Sequence, residues 1–356
     1  MVIASSIPTI DKEMEEETVR ALREEMLVGG KSIAKFEEEF ARYVGIKHAV
    51  AVASGTDALV IALRCLGITK KVITTPMSFV ATAESIVLAG AQPKFADIDN
   101  STWNINPDEI EKQIDSDTEA IMPVHLYGMP CHMDRIKEIA EKNDLHIIED
   151  CAQAHGTKWG SKHVGTFGEV GCFSFYSTKN MTVGGNGGML VTDDEEIAEK
   201  AKLLREHGGA NEAKYIGYNA RMNTINAAIG RIQLKRLDGW IDTRRKLADK
   251  YYVKCKDWGV GTSPPAKEHV YHLFVIETDR RDELRRYLRS NKIFCGIHYP
   301  ISINQLEPYK KYADGVYPNS EHHARLCLSL PLYPSLSNEE FEFVSNAIDS
   351  FYGVNK

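Results

Sequence analysis

The chain has 356 residues, enough for about two domains, and its 43% hydrophobic and 26% charged residues are the balance of a globular core and not of a disordered segment. Lys and Arg total 43 against 50 Asp and Glu, a net charge of −7, so no basic face for nucleic acid is expected and an anionic substrate must be held by local donors. No apolar run approaches the roughly 18 residues of a membrane span, and seven scattered cysteines without a Cys-x-x-Cys pair predict reduced thiols in a cytoplasmic protein with no structural zinc site.

The opening, Met1 to Ile10, has no basic start and no apolar segment, Pro8 interrupts it, and acids follow from Asp11 to Glu17, so a secretory signal is not expected. Phe36, Phe40, Tyr43 and Val44 share one helical face. Ala49 to Ala53 reads as a buried strand, and Ser54-Gly55-Thr56 turns it into a helix whose inner face holds Leu59, Ala62, Leu63 and Leu66. Further strands are expected at 72–74, 94–98, 120–125 and 146–148, with helices between most of them, as at Met133, Ile136, Ile139 and Ala140. Strands alternating with helices predict an α/β domain over residues 1–241, its mainly parallel sheet flanked by helices.

From residue 242 the pattern changes. Residues 244–252 read as a connecting helix, 271–277 and 294–298 as strands with a helix opening after Asp279, and Ser337-x-x-Glu340 as a capping box before Phe341, Val344 and Ile348. Residues 242–356 are therefore expected to form a smaller α+β domain.

Three segments could carry chemistry. In Ile147-Ile148-Glu149-Asp150 an apolar strand ends in two acids. Ligands of open α/β sheets sit beyond the carboxyl ends of strands, where a carboxylate can keep a ring nitrogen protonated; a solvated strand end reads the same way. Cys172 to Lys179 is a mostly apolar strand closed by a lysine, ahead of the glycine run Gly184 to Gly188. A partly desolvated lysine has a lowered pKa and can form a Schiff base, whereas a lone lysine is more often a surface charge and the glycine run can be a plain hairpin. Because Met189 to Thr192 reads as a strand, the run is not a dinucleotide fingerprint. Ser54-Gly55-Thr56 offers free N–H groups to a phosphate at a helix start, or a routine N-cap. Together the three supply a phosphate cup, a pyridinium partner and a Schiff-base lysine, which are what a protein must give pyridoxal 5'-phosphate.

With these residues the chain resembles the DegT/DnrJ/StrS nucleotide-sugar aminotransferases, of aspartate aminotransferase-like fold, from about Gly30 to the last helix. The segments that carry the resemblance are Ser54 to Leu59, Pro76 to Thr82, Val124 to Gly128, Glu149 to Gly156, Ser174 to Gly188, Gly217 to Arg221 and His298-Tyr299-Pro300. The resemblance implies that Lys179 holds the cofactor and later shuttles a proton, that Asp150 pairs with the pyridine nitrogen, that Gln153 lies beside the ring and that Phe79 stacks on its face. It assigns Gly55, Thr56 and Ser174 to the phosphate, and Asn219 to the phosphate of the neighbouring subunit, which implies a homodimer with shared active sites. Phe79 as core filler and Asn219 as a turn residue are the plain alternatives.

The implied reaction moves an amino group from glutamate to a nucleotide-linked keto sugar. Two departures bear on the sugar pocket. The run from Lys179 to Gly188 has the length of relatives that aminate C3, with Asn186 near a position that is acidic in many relatives, and Asn304 stands where many carry a histidine. The alternatives are a sugar dehydratase of the same family, in which histidine replaces the lysine, and a regulatory protein that binds the cofactor without turnover.

Overall fold

The computed structural model describes residues 1–354. Helix α1 (Lys12–Glu24) starts on an Asp11 cap, and α2 (Lys31–Val44) buries the Phe36 and Phe40 face foreseen from its spacing. Strand β1 (His48–Val52) turns at Ser54 into α3 (Gly55–Leu66). There follow β2 (Lys71–Thr74), α4 (Ala81–Ala89), β3 (Gln92–Phe95), α5 (Pro107–Gln113), β4 (Thr118–Met122), α6 (Met133–Asn143) and β5 (His146–Asp150). A two-residue hairpin, β6 (Lys158–Trp159) and β7 (Lys162–His163), precedes β8 (Val170–Ser174), β9 (Gly188–Thr192) and α7 (Glu195–Arg205).

Seven of these strands form one sheet in the order β1-β9-β8-β5-β4-β2-β3. All neighbours from β8 to β3 pair in parallel, and β9 alone runs against both β8 and β1. The mainly parallel α/β sheet read from the sequence is therefore the fold. Side chains alternate across it. Val50 and Val52 pack with α3 and α7, whereas Ala49, Ala51 and Phe173 meet α2. Strand β3 is the sheet edge, which is where its Pro93 is tolerated; the strand expected at 94–98 therefore starts two residues earlier, and it ends three earlier, at Phe95.

Helix α8 (Thr224–Trp258) is one continuous helix of 35 residues. The helix expected at 244–252 is part of it, and the division expected at 241/242 falls in its middle. Gly239 did not break it, because a helical glycine costs only about 1 kcal/mol and buried Leu237 and Ile241 anchor both sides. Beyond it lie β10 (Gly261–Thr262), β11 (Phe274–Glu277), α9 (Arg281–Ser290), α10 (Pro318–Leu326), β12 (Cys327–Leu330) and α11 (Asn338–Tyr352). Strands β10, β11 and β12 form a second, antiparallel sheet. The capping box at Ser337 and Glu340 is present. The expected strand at 294–298 is not one. Its backbone is satisfied piecemeal, Phe294 by Ile3 and Gly296 by Ser329. Ile3 is fully buried in the hydrophobic cluster that packs this second sheet, so the chain's start lies with its end.

Candidate active site

The parallel run of the sheet puts the carboxyl ends of β1, β5 and β8 along one edge, and a cavity of about 570 Å³ opens there. Of the residues singled out from the sequence, Gly55, Thr56, Phe79, Asp150, Gln153, Ser174 and Lys179 all line it. Asn219 does not: it is exposed, its Oδ1 accepts from Arg221 at 2.9 Å, and its backbone bridges Glu206.

Two glycines let three strand ends converge. A Cβ on Gly55 would stand 2.6 Å from that of Ser174, and a Cβ on Gly188 would stand 2.2 Å from the Ser54 carbonyl. The start of α3 thus lies directly against the end of β8. Ser54 Oγ accepts from the Asp57 N–H at 3.0 Å and donates to its carboxylate at 2.7 Å. The positive end of the α3 dipole faces this junction, where an anion is favoured.

Strand alternation separates the two acids at the end of β5. Glu149 points away from the cavity and accepts from the N–H groups of Gly165, Phe167 and Gly168 at 2.7–3.0 Å. His125 Nδ1 accepts from the Cys131 N–H, so its Nε2 carries the proton and donates to Glu149 at 3.1 Å. His125, Glu149 and Cys151 come within 4.8 Å of one another, but these bonds already occupy the carboxylate and burial pushes the Cys151 thiol well up. Asp150 faces the cavity. Its Oδ2 accepts from the Thr82 hydroxyl at 2.8 Å and its Oδ1 from the Ala152 N–H at 3.1 Å. Burial pushes its carboxyl above the usual range against those bonds and the charge of Lys179.

Lys179 does not close β8, as the sequence reading had it. The ladder ends at Ser174, and Lys179 lies five positions on, in a turn where its N–H donates to the Tyr176 carbonyl at 2.9 Å. Among the described residues its amine makes no ion pair, and desolvation lowers its pKa to about 8, with Asp150 opposing. Phe79 is 53% exposed at the cavity wall, so it is not core filler. Gln153 is pinned at both ends: Oε1 accepts from the Tyr127 N–H at 2.7 Å and Nε2 donates to the Tyr299 hydroxyl at 3.0 Å.

Residues that follow α8 complete the wall, His272, His298 and Tyr299, none of which the sequence reading placed in the site. The His-Tyr-Pro segment was visible, but packed strand residues carry the same letters. Tyr176 and Thr82 also line the cavity; both lie in segments that carry the family resemblance, which implied no role for them. Of the two departures, Asn186 lines the cavity. Asn304 does not; it is buried and donates to Glu321 at 3.1 Å.

The sequence model of the DegT/DnrJ/EryC1/StrS aminotransferase family matches residues 8–349. A pleiotropic regulatory protein of Geobacillus stearothermophilus is 37% identical over 98% of this chain and 99% of its own length. A UDP-N-acetyl-3-dehydro-alpha-D-glucosamine 3-aminotransferase of Acidithiobacillus ferrooxidans is 37% identical over 92% of this chain and 94% of its own. The crystal structure of S. venezuelae DesV in complex with a ketimine intermediate superposes with a TM-score of 0.92 at 36% identity, covering 97% of this chain and 95% of that one.

Proposed function

We propose that this chain, which belongs to the DegT/DnrJ/EryC1/StrS aminotransferase family, moves an amino group from glutamate to the C3 keto group of a nucleotide-linked sugar, with pyridoxal phosphate held at Lys179. The observation that carries this reading is one cavity that joins an unpaired, desolvated lysine amine, a buried carboxylate and a helix start pressed against Ser174.

These residues fit the cofactor. The α3 N-terminus with Gly55, Thr56 and Ser174 would bind its phosphate, Asp150 would hold a proton on its ring nitrogen, and Phe79 and Gln153 would flank the ring. Bound there, the group supplies an electron sink for the carbon that loses its proton. Lys179 would hold it through the amine, and that same amine, once released, takes the proton from the donor's α-carbon and returns it on the acceptor side. An amine with a pKa near 8 can do both at neutral pH. The rest of the cavity, with Tyr176, Asn186, His298 and Tyr299, is left for the sugar. C3 is favoured by the length of the segment from Lys179 to Gly188 and by the 3-aminotransferase relative.

The working form in this reading is a homodimer in which Asn219 completes the partner's site. Met26, Leu27 and Val28 are half or more exposed beside Thr224, which bonds to Met26 and Leu27, and Ile216 is 85% exposed near Asn219. Exposed apolar side chains of this kind mark association surfaces. No helix among the described residues is long and apolar enough to cross a membrane, which fits a cytoplasmic setting. The two units would meet within α8.

A regulatory reading is favoured by the name of the Geobacillus relative. The presence of both Lys179 and Asp150 speaks for turnover, and Lys179 speaks against a dehydratase. One experiment separates the readings. The protein is incubated with glutamate and UDP-, GDP- and dTDP-linked keto sugars, 2-oxoglutarate is measured, and the new amine is located by NMR. Binding of the cofactor with no amination of any sugar would leave the regulatory reading.

A further inference from the structure

Beside the cavity runs a chain of hydrogen bonds whose outer members, Glu277, His323 and Tyr127, have no part in the proposed reaction. Glu277 ends β11, and its Oε1 lies 2.6 Å from Nδ1 of His323 on α10. His323 Nε2 lies 3.0 Å from the Tyr127 hydroxyl, in the turn that follows β4. That hydroxyl also donates to the main-chain carbonyl of His298. The Tyr127 N–H holds Gln153, and Gln153 holds the Tyr299 hydroxyl. Tyr127 therefore grips the His298-Tyr299 segment twice, once directly and once through Gln153. His298, Tyr299 and Gln153 line the cavity, whereas Tyr127, His323 and Glu277 stand behind it.

The surroundings are built to keep this arrangement. Tyr127 and His323 are 2% and 1% exposed. Trp103 stacks on His323, centroids 4.5 Å apart at 30°. Tyr127 sits at φ 58, a left-handed conformation that a bulky residue keeps only where its neighbours hold it.

The proton count gives the chain a direction. The tyrosine hydroxyl has one proton. Spending it on the His298 carbonyl requires His323 Nε2 to be a donor, so that the hydroxyl accepts. The contact between Nδ1 and Glu277 then needs one more proton, on the ring or on the carboxyl. The groups facing His323 are Glu277, Tyr127 and the adjacent His322; burial holds its imidazole below the usual value, with Glu277 opposing and His322 adding to the shift.

We propose that Glu277, His323 and Tyr127 are positioning residues for the reaction: one proton shared by Glu277 and His323 orients the chain, and the chain sets where Tyr299 and His298 stand in the wall that the acceptor sugar meets. The proposal rests on the transferase reading for what enters the cavity, and on the hydrogen bonds alone for how the wall is held.

Three variants of the cofactor-loaded protein test it, with hydrogen-exchange mass spectrometry of residues 294–302 and steady-state kinetics as readouts. Tyr127→Phe and Glu277→Ala should speed amide exchange in that segment and raise KM for the keto sugar roughly tenfold, the scale of one buried hydrogen bond, with KM for glutamate and cofactor uptake at wild-type levels. Glu277→Gln should restore both readouts to near wild type, because its amide N–H can donate to Nδ1 and keep the direction of the chain. Wild-type exchange in Tyr127→Phe overturns the proposal, and so does Glu277→Gln behaving like Glu277→Ala. Should Tyr127→Phe fail to fold, the two Glu277 variants decide, since that carboxylate is partly exposed at 21%. If the exchange pattern is as expected but the wild-type protein aminates no keto sugar, the transferase reading falls and the positioning chain stands.

Discussion

Thr82, in the first turn of α4, donates its hydroxyl at 2.8 Å to Asp150, the last residue of β5, 68 positions away. With the Thr82 proton given to Asp150, the same hydroxyl oxygen accepts from the Ser78 hydroxyl at 2.8 Å. The pair turns a carboxylate at a strand end into an oriented one. One Asp150 oxygen is held by Thr82 and the other by the Ala152 N–H, which fixes the plane that faces the cavity.

A first prediction concerns Asp150→Asn. Asparagine can keep its oxygen on the Ala152 N–H and donate from its amide to Thr82, which then donates to Ser78, so the site accommodates it. The folded carboxyl sits above its usual value through burial. In the cofactor-free protein, ionising Asp150 therefore costs stability as pH rises from the ordinary carboxylate range through the raised value. At neutral pH the cofactor-free Asp150→Asn protein should melt no lower than wild type, whereas turnover of the loaded enzyme should fall roughly 10²-fold or more, the scale for removing one electrostatic stabiliser. Calorimetry and initial rates check the two halves, and near-normal turnover would sink the role of Asp150.

A second prediction concerns Lys179. Its amine is pushed down to about 8 by burial, against 10.5 for an ordinary lysine. Only the neutral amine attacks a carbonyl, so covalent uptake of pyridoxal phosphate by the cofactor-free protein should rise with pH and reach half its limit near 8. Borohydride should fix the adduct to Lys179, and Lys179→Ala should trap none. A profile that climbs only towards pH 10, or an adduct mapped to another lysine, would show that the base is elsewhere.

Local chemistry made much of this legible. The spacing of Phe36 and Phe40, the turn at Ser54 and the capping box at Ser337 are neighbour effects, and each appears as expected. Asp150 and Lys179 stood out because a charge ending an apolar strand is unusual. What the letters hid was long-range. Thr82 meets Asp150, Gly55 meets Ser174, and His298 and Tyr299 arrive from beyond α8, all set by sheet order and not by spacing. Strand β12 escaped notice because Cys327-Leu328-Ser329-Leu330 is buried on both faces and lacks β-branched residues. The continuity of α8 escaped because a change of pattern near residue 242 was read as a domain boundary.

Gly55→Ala gives a third prediction. The new methyl would stand 2.6 Å from Ser174 Cβ, closer than such atoms approach, and both partners are on regular elements that cannot swing aside. The start of α3 must retreat from β8, and the N–H groups that would hold the phosphate leave their places. Cofactor affinity should fall roughly tenfold or more, since several charge-assisted bonds depend on that junction. Far-ultraviolet circular dichroism should stay that of the wild type. Unchanged affinity in an absorbance titration would place the phosphate away from Gly55 and Ser174.

The last prediction is that two subunits share each site. Asn219 is exposed, lies outside the cavity of its own chain and sits five residues before α8. If it serves the partner, a two-fold interface creates two identical sites, each with Lys179 from one chain and Asn219 from the other. The consequence is intersubunit complementation. Lys179→Ala is inactive in every site of its own dimer, and Asn219→Trp, with a bulky ring in place of the amide, should be severely impaired in every site of its own. Once subunits exchange, a mixed dimer holds one site with both defects and one with neither. Equal mixing makes half of the dimers mixed, with one good site in each, so about a quarter of the wild-type activity should return. Exchange is followed by native mass spectrometry with one variant carrying a tag. Recovery that tracks the mixed species fits the shared site. Mixed dimers without recovery would assign Asn219 to its own subunit or to no cofactor contact at all.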